Sequence, residues 1–310
     1  MSKPLTADQL RGNWATVLLP IDAHDRIDMH RLADELDVLL ASGIQGIYTG
    51  GTAGEFYNLS EDEFDAVNAL CADRCRNASM PFQIGVSHMS PWLSLQRLSR
   101  ARRLSPGAVQ VVLPDWFPPS ENESIAFLSR MAEVADPIGL VLYNPPHAKV
   151  NLTPVQIGIL ARQVSGLIGV KVSGGDARWY AAMREQANRL SVFIPGHHLA
   201  TGIRLGAHGS YSNVACLNPA ASQRWYQQIL TDFDAAFETE QRIQMVMDNH
   251  LAPLAARHGF SNAAIDKLLA AIGGWADIGT RLRWPYRGVD IEEVNRLRPI
   301  ARKILPEFFE

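Results

Sequence analysis

The chain has 310 residues, of which 47% are apolar and 20% are charged, which is the composition of an ordinary globular protein. Its net charge is −3 and its basic residues are scattered, so we expect no nucleic-acid partner and no membrane surface. No apolar run reaches the ~18 residues of a membrane-spanning helix, and MSKPLTADQLRGNW lacks the apolar centre of a secretion signal. The three cysteines, Cys71, Cys75 and Cys216, have no partners at metal-ligand spacing. We therefore predict reduced thiols in a cytoplasmic protein without a cofactor.

Short runs rich in Val and Ile alternate along the chain with longer amphipathic stretches. The runs predict strands, because each is four to seven residues long and ends in Gly, Pro, Ser, Thr or Asn. They are WATVLLP (from Trp14), GIYTG (Gly46), FQIGVS (Phe82), AVQVVLP (Ala108), IGLVLYN (Ile138), LIGVKVS (Leu167), SVFIPG (Ser191) and GSYSN (Gly209). The amphipathic stretches predict helices over 28–42, 61–77, 92–104, 120–135, 153–163 and 176–190, and more weakly near 198–205. Asp28, Ser120 and Thr153 are the predicted N-caps of three of them.

Eight strand–helix units in about 230 residues predict an α/β protein of the (β/α)8 TIM-barrel class. The rival is a doubly wound sheet, which would need a glycine-rich phosphate loop after the first strand, and LLPIDAHDR is not such a loop. We assign the barrel and its active site to residues 1–232. Residues 233–310 contain no predicted strand, and their periodicity predicts a C-terminal extension of three helices over 234–258, 262–273 and 291–305, packed on the barrel.

Lys171 is the most unusual residue at a predicted strand end, because valine stands on both sides of it in VKVS. Active sites of these barrels lie at the carboxyl ends of the strands. Burial there lowers a lysine pKa and produces a neutral amine that attacks a carbonyl. The alternative is a structural lysine whose ammonium reaches water or pairs with Glu55.

Residues at two other predicted strand ends support the catalytic role of Lys171. Tyr143 ends the preceding strand in LYNPP. From that position its phenol can pass protons to an imine that forms on Lys171. Alternatively, its ring only covers the barrel core. The glycine-rich loop GGTAGE follows the second strand. Its backbone N–H groups and the Thr52 hydroxyl predict a nest for a carboxylate, such as that of a 2-oxo acid.

Four histidines, His88, His147, His197 and His198, also lie near predicted strand ends. A metal site would need a set of ligands, but adjacent histidines rarely bind one ion and no Asp or Glu completes the set. We therefore expect contacts to substrate or to helix starts, and no metal.

At these motifs the sequence resembles the dihydrodipicolinate synthase/N-acetylneuraminate lyase family, which are pyruvate-type class I aldolases on a (β/α)8 barrel. The family's GTTGE-type loop matches GTAGE at 51–55, its Tyr-Asn-x-Pro matches 143–146, and its strand-six lysine matches GVKVSGGD. LLAAIGG and RWPY are similar to the family's closing segments. The resemblance covers nearly the whole chain.

The resemblance implies a role for each matching residue. Lys171 would form the Schiff base, Tyr143 would relay protons, and Thr52 with the backbone of Ala53 would hold the substrate carboxylate. The remaining implied or predicted substrate contacts are Gly51, Trp116, His147, the Gly196 carbonyl and Ser212. It also implies a homo-oligomer, either a dimer or a tetramer.

Three positions depart from the family's synthases. Ala53 stands where a second hydroxyl is usual, and Trp116 stands where a tyrosine of the neighbouring subunit completes the relay. Ala148 stands where an arginine grips the second substrate's carboxylate, and alanine cannot replace that grip. Aspartate semialdehyde is therefore not the expected substrate, and Trp116 resembles the family's hydratase-aldolases.

We therefore expect a Schiff-base lyase that acts on pyruvate or another 2-oxo acid, with or without an aldehyde as the second substrate. It either cleaves or forms a carbon–carbon bond, or it removes water or ammonia from a sugar-acid-like substrate. One alternative is a non-catalytic sensor or regulatory protein that binds a 2-oxo acid. Another is a phosphate-binding barrel, which the loops PGHHLATG and GSYSNV disfavour because they lack a glycine nest leading into a helix.

Overall fold

In the computed structural model, which describes residues 3–310, eight parallel strands form a closed barrel. They follow one another around the barrel in chain order, and the eighth pairs with the first. The strands are β1 (Gly12–Thr16), β2 (Gly46–Thr49), β3 (Phe82–Gly85), β4 (Ala108–Val112), β5 (Gly139–Tyr143), β6 (Leu167–Lys171), β7 (Ser191–Ile194) and β8 (Gly209–Tyr211). This confirms the predicted TIM barrel.

Helices follow the strands and continue into the C-terminal region. They are α1 (Met29–Ala41), α2 (Glu61–Asn77), α3 (Pro91–Ala101), α4 (Glu121–Ala135), α5 (Pro154–Gln163), α6 (Ala177–Gln186), α7 (Leu199–Leu205), α8 (Val214–Leu217), α9 (Pro219–Thr231), α10 (Phe233–Val246), α11 (Ala252–His258), α12 (Asn262–Gly273) and α13 (Ile291–Ile304). The three predicted N-caps are confirmed, because the side chains of Asp28, Ser120 and Thr153 each accept a backbone N–H of the first turn. No helix in residues 3–310 has both the length and the apolar character needed to cross a bilayer.

Two predicted helices differ clearly from the observed ones. The helix predicted over 176–190 ends at Gln186. The helix predicted over 234–258 contains a π-helical turn at Met247–Leu251, between α10 and α11. Pro253 lies just after that turn, and a proline inside a helix lacks an N–H and crowds the preceding turn. A local change of hydrogen-bond pattern accommodates it.

The C-terminal helices share a core with the carboxyl ends of the barrel strands. Leu18, which lies shortly after β1, and Ala53, in the loop after β2, are buried in one cluster with apolar side chains of α10, α12 and α13. Apolar side chains of these helices therefore pack against this end of the barrel, and α12 lies at the end that carries Lys171.

Candidate active site

The loop between β2 and α2 has a backbone that most side chains would not tolerate. Gly50 has φ +64°, and a Cβ added to it would lie 2.3 Å from the carbonyl oxygen of Gly85. Glu55 has a left-handed conformation with φ 49°, which is uncommon for a residue other than glycine. The glycines therefore let the loop pass close to β3, and Glu55 requires surrounding contacts to hold its strained backbone.

An ion pair with the C-terminal helix α12 supplies part of that support. Lys267 Nζ donates to Glu55 Oε1 at 2.6 Å and to the carbonyl oxygen of Arg281 at 2.7 Å. The side chains of Glu55 and Lys267 are 2% and 0% exposed. The alternative that Lys171 is a structural partner of Glu55 is therefore wrong, because Lys267 occupies that position.

A buried arginine on α3 holds the next part of the same loop. Arg97 Nη1 donates to the carbonyl oxygens of Phe56 at 3.1 Å and Ser87 at 2.7 Å, and Nη2 donates to that of Leu59 at 3.2 Å. Loop residues 50–59 are therefore connected to β3 and to the C-terminal helices by charged hydrogen bonds, which are stronger than neutral ones.

Lys171, at the end of β6, lies beside Tyr143 at the end of β5, as predicted. The two residues are paired in the sheet, and Lys171 Nζ is 4.2 Å from the centroid of the Tyr143 ring. Among residues 3–310 the amine has no carboxylate within ion-pair distance and no hydrogen-bond partner. Burial lowers the pKa of Lys171 to about 8, although the charge of Asp266 opposes this. About a tenth of the amine is therefore neutral at pH 7, far more than for an ordinary lysine.

Thr52 and Tyr143 are brought into contact. The Thr52 hydroxyl donates to the Tyr143 hydroxyl at 3.3 Å. Burial raises the pKa of Tyr143, and the hydrogen bond from Thr52 opposes the rise. Tyr143 is thus a protonated phenol next to the amine, which is the state needed to donate a proton.

The charge of Asp266 acts on Lys171, which the sequence motifs do not indicate. Asp266 lies on α12 and interacts electrostatically with Lys171 and Tyr143, although it is 95 residues beyond Lys171 in the chain. Burial raises the pKa of Asp266 to about 7, and the Lys171 ammonium opposes the rise. The signal in the sequence was the pair Asp266 and Lys267 inside the otherwise apolar helix NAAIDKLLAAIG.

A cavity of about 250 Å³ extends from Thr52 and Tyr143 toward the protein surface. Most of its wall is apolar, including Phe56, Met89 and Leu113. His88, Asp115 and His147 are among its polar residues. Within residues 3–310, no lysine or arginine lines this cavity.

Of the other predicted substrate contacts, only His147 lies in the cavity wall. Gly51 and Ala53 flank Thr52 in the loop, and His147 lines the cavity together with Ala148. Trp116 does not line it, because its side chain is 77% exposed on the loop after β4. Gly196 and Ser212 contact one another but are also outside the cavity wall, and the Ser212 hydroxyl accepts the N–H of Ala215.

The histidine pair after β7 forms polar contacts with other helices. His197 Nδ1 lies 3.2 Å from Asn213 Oδ1, and Gln244 Nε2 donates to the carbonyl oxygen of His197. Burial lowers the pKa of His197 to about 4, with the neighbouring His198 contributing. The part of the chain that the structure describes contains no group of three or more His, Cys, Asp or Glu side chains arranged to hold a metal ion.

Comparisons with known proteins identify the family of the chain. Residues 9–303 match the model of the dihydrodipicolinate synthetase family. The chain is 29% identical to 4-hydroxy-tetrahydrodipicolinate synthase of Thermomicrobium roseum, covering 69% of this chain and 70% of that one. It is 25% identical to N-acetylneuraminate lyase of Escherichia fergusonii, covering 97% of this chain and 99% of that one.

A solved structure shows the same fold. It is a prophage protein of the dihydrodipicolinic acid synthase family from Escherichia coli in complex with pyruvate, with a TM-score of 0.84 and 20% identity, covering 95% of this chain and 98% of that one. Because the family model spans nearly the whole chain, this protein belongs to the dihydrodipicolinate synthetase family.

Proposed function

We propose that the protein is a lyase in which Lys171 forms a Schiff base with pyruvate or another 2-oxo acid. The family comprises pyruvate-dependent class I aldolases. The observation that carries it is the Lys171 amine, which lies against Tyr143, lacks an ionic partner among residues 3–310 and has a pKa lowered to about 8.

The proposed chemistry starts with the neutral amine. Its nitrogen attacks the keto carbon, and the carbinolamine then loses water to give a protonated imine. Tyr143 supplies the proton that the leaving hydroxyl needs. The hydrogen bond from Thr52 orients the Tyr143 hydroxyl for this transfer. Loss of a proton from the adjacent carbon gives an enamine that attacks an aldehyde. Cleavage is the reverse sequence.

The loop after β2 is the proposed site for the carboxylate of the 2-oxo acid. The N–H groups of Thr52 and Ala53 make no hydrogen bond within residues 3–310, so they remain available to an anion. A Cβ added to Gly51 would lie 3.9 Å from Lys171 Nζ, which places this loop next to the amine. Adjacent backbone N–H groups of this kind bind anions.

Trapping by borohydride tests the imine directly. We expect pyruvate plus borohydride to add one reduced pyruvyl group to the protein, at Lys171 in the peptide map. The trapping rate should rise with pH through about 8, because only the neutral amine attacks and the pKa of Lys171 is lowered to about 8. An adduct at other lysines, with Lys171 unmodified, would overturn the proposal. Trapping without turnover of any 2-oxo acid would instead favour the sensor alternative.

The cavity supports a neutral or aromatic second substrate over one with a second carboxylate. Among the described residues its wall has no lysine or arginine, and Ala148 lies in that wall. Trp116 lies outside it, so the aromatic contacts come from Phe56 and Tyr57 instead. A stacked aromatic pair contributes about 0.5–1.5 kcal/mol beyond area burial, which corresponds to roughly threefold to tenfold in kcat/KM.

The expected result is therefore a higher kcat/KM for pyruvate addition to an aromatic aldehyde than to aspartate semialdehyde. A neutral sugar aldehyde serves as the comparison for size and polarity. A clear preference for aspartate semialdehyde would restore the synthase assignment. Loss of water or ammonia from a hydroxylated or aminated 2-oxo acid, with no aldehyde reacting, would support the dehydratase or deaminase alternative.

A further inference from the structure

Two additional tyrosines lie beside the amine of Lys171. Nζ is 5.0 Å from the ring centroid of Tyr48 on β2 and 5.3 Å from that of Tyr211 on β8, with Nζ over the ring in each case. With Tyr143 they form a three-ring box around the amine. Tyr48 and Tyr211 are both buried, and their centroids are 4.7 Å apart in an edge-on contact that fixes their relative orientation.

The hydroxyl group of Tyr211 is hydrogen-bonded to a residue inside the barrel. The Tyr211 hydroxyl donates to Gln83 Oε1 at 2.6 Å inside the barrel. Burial raises the pKa of Tyr48, and the Thr16 side chain at the end of β1 opposes that rise. Their contact with Lys171 is therefore made by the ring faces, which carry the negative part of the aromatic quadrupole.

The space for this arrangement depends on Gly51. A Cβ added at Gly51 would lie 2.8 Å from Tyr48 Cε2, so a larger residue would displace the ring. The glycine therefore serves the packing of Tyr48 against the amine as well as the loop backbone.

We propose that Tyr48 and Tyr211 stabilise the cationic forms of Lys171, both the ammonium and the protonated imine, through their ring faces. This inference rests on the proposed Schiff-base function. A buried cation without an ion pair is costly, and the iminium that forms on Lys171 carries the same positive charge. Ring faces stabilise that charge without hydrogen-bonding to the nitrogen, so they do not compete with the attack on the substrate. The other groups facing the amine are Asp266 on α12, the Cys216 thiol on α8 and the Tyr143 phenol.

The test compares variants that keep the ring with variants that remove it. Tyr48→Phe and Tyr211→Phe should retain the wild-type pH midpoint for pyruvate trapping, because the ring face remains. Tyr48→Leu and Tyr211→Leu should move the midpoint to lower pH and reduce the imine yield at plateau pH by about three- to thirtyfold. Circular dichroism and thermal melting check that each variant is folded.

Ring fluorination separates the electrostatic effect of the ring face from its packing. Position 48 is filled with phenylalanine carrying zero, two or five ring fluorines, which changes the quadrupole while nearly preserving the shape. We expect the pH midpoint of pyruvate trapping to fall stepwise as fluorines are added. This series tests the inference even if the Leu variants do not fold. A midpoint that does not change with fluorine number, or Leu variants that behave like Phe variants, would overturn the inference.

A second readout keeps this test independent of the proposed function. The rate at which trinitrobenzenesulfonate modifies Lys171 as a function of pH reports the amine without any substrate. If pyruvate is not trapped but the modification midpoint follows ring fluorination, the Schiff-base proposal fails while the stabilisation of the ammonium stands. If pyruvate is trapped and neither midpoint responds, only the ring-face inference fails.

Discussion

Replacing Lys171 with arginine is expected to abolish turnover while leaving the protein folded. A guanidinium group remains protonated in any protein site, so it has no free electron pair with which to attack a carbonyl. Loss of a catalytic nucleophile lowers kcat by roughly 10³-fold or more. The measurement is steady-state turnover together with borohydride trapping of pyruvate, with circular dichroism to confirm the fold.

Comparing the arginine and alanine variants of Lys171 distinguishes a nucleophile from a structural cation. Lys171→Arg keeps a cation over the tyrosine rings, whereas Lys171→Ala removes both the charge and the nucleophile. If Lys171 only stabilises the fold, arginine should keep much of the activity and alanine should lose stability. Turnover of Lys171→Arg near the wild-type rate, or an undiminished pyruvate adduct in Lys171→Ala, would refute the nucleophile assignment.

Replacing Lys267 with methionine is expected to destabilise the protein strongly and to disable the loop that carries Thr52. The change leaves Glu55 charged and buried without its partner at 2.6 Å, on a residue with a left-handed backbone. Removing one partner of a buried ion pair costs about 3–5 kcal/mol. Chemical denaturation should show that loss in the free energy of unfolding, and pyruvate trapping should fall as well.

The double variant Glu55→Gln with Lys267→Met is the control for the charge itself. Neither buried charge remains, so we expect the double variant to be more stable than Lys267→Met alone. Glu35 also faces Lys267, but it does not replace Glu55 as a counter-charge, because burial raises its pKa well above the ordinary value. If the double variant lost at least as much stability as the single one, uncompensated charge would not be the cause.

Much of the fold was predictable from the sequence because its signals are local. The alternation of Val- and Ile-rich runs with amphipathic stretches reports burial on a barrel strand or on one face of a helix. Caps such as Ser120 and Thr153 report a hydrogen bond within one turn. The neighbourhood of Tyr143 and Lys171 also followed, because consecutive strands of such a barrel pair with each other.

Positions that depend on distant parts of the chain were not predictable. Glu55 pairs with Lys267, which lies 212 residues later in the chain. Neither the hydrophobic periodicity nor the spacing of motifs in the sequence indicates that partner. Trp116 is 77% exposed on the loop after β4 of a single chain, and its contact with substrate stays a prediction.

The barrel, the order of its strands and the candidate lysine and tyrosine at adjacent strand ends are all evident from the amino-acid sequence. The groups that act on the amine and its cavity come together only in the folded chain: the rings of Tyr48 and Tyr211, the charge of Asp266, and a cavity wall without lysine or arginine among the described residues. The physical reason is that secondary structure follows from contacts within a few residues. The pKa of Lys171 and the charge of the cavity depend on side chains that meet only when the barrel closes and α12 packs on its end.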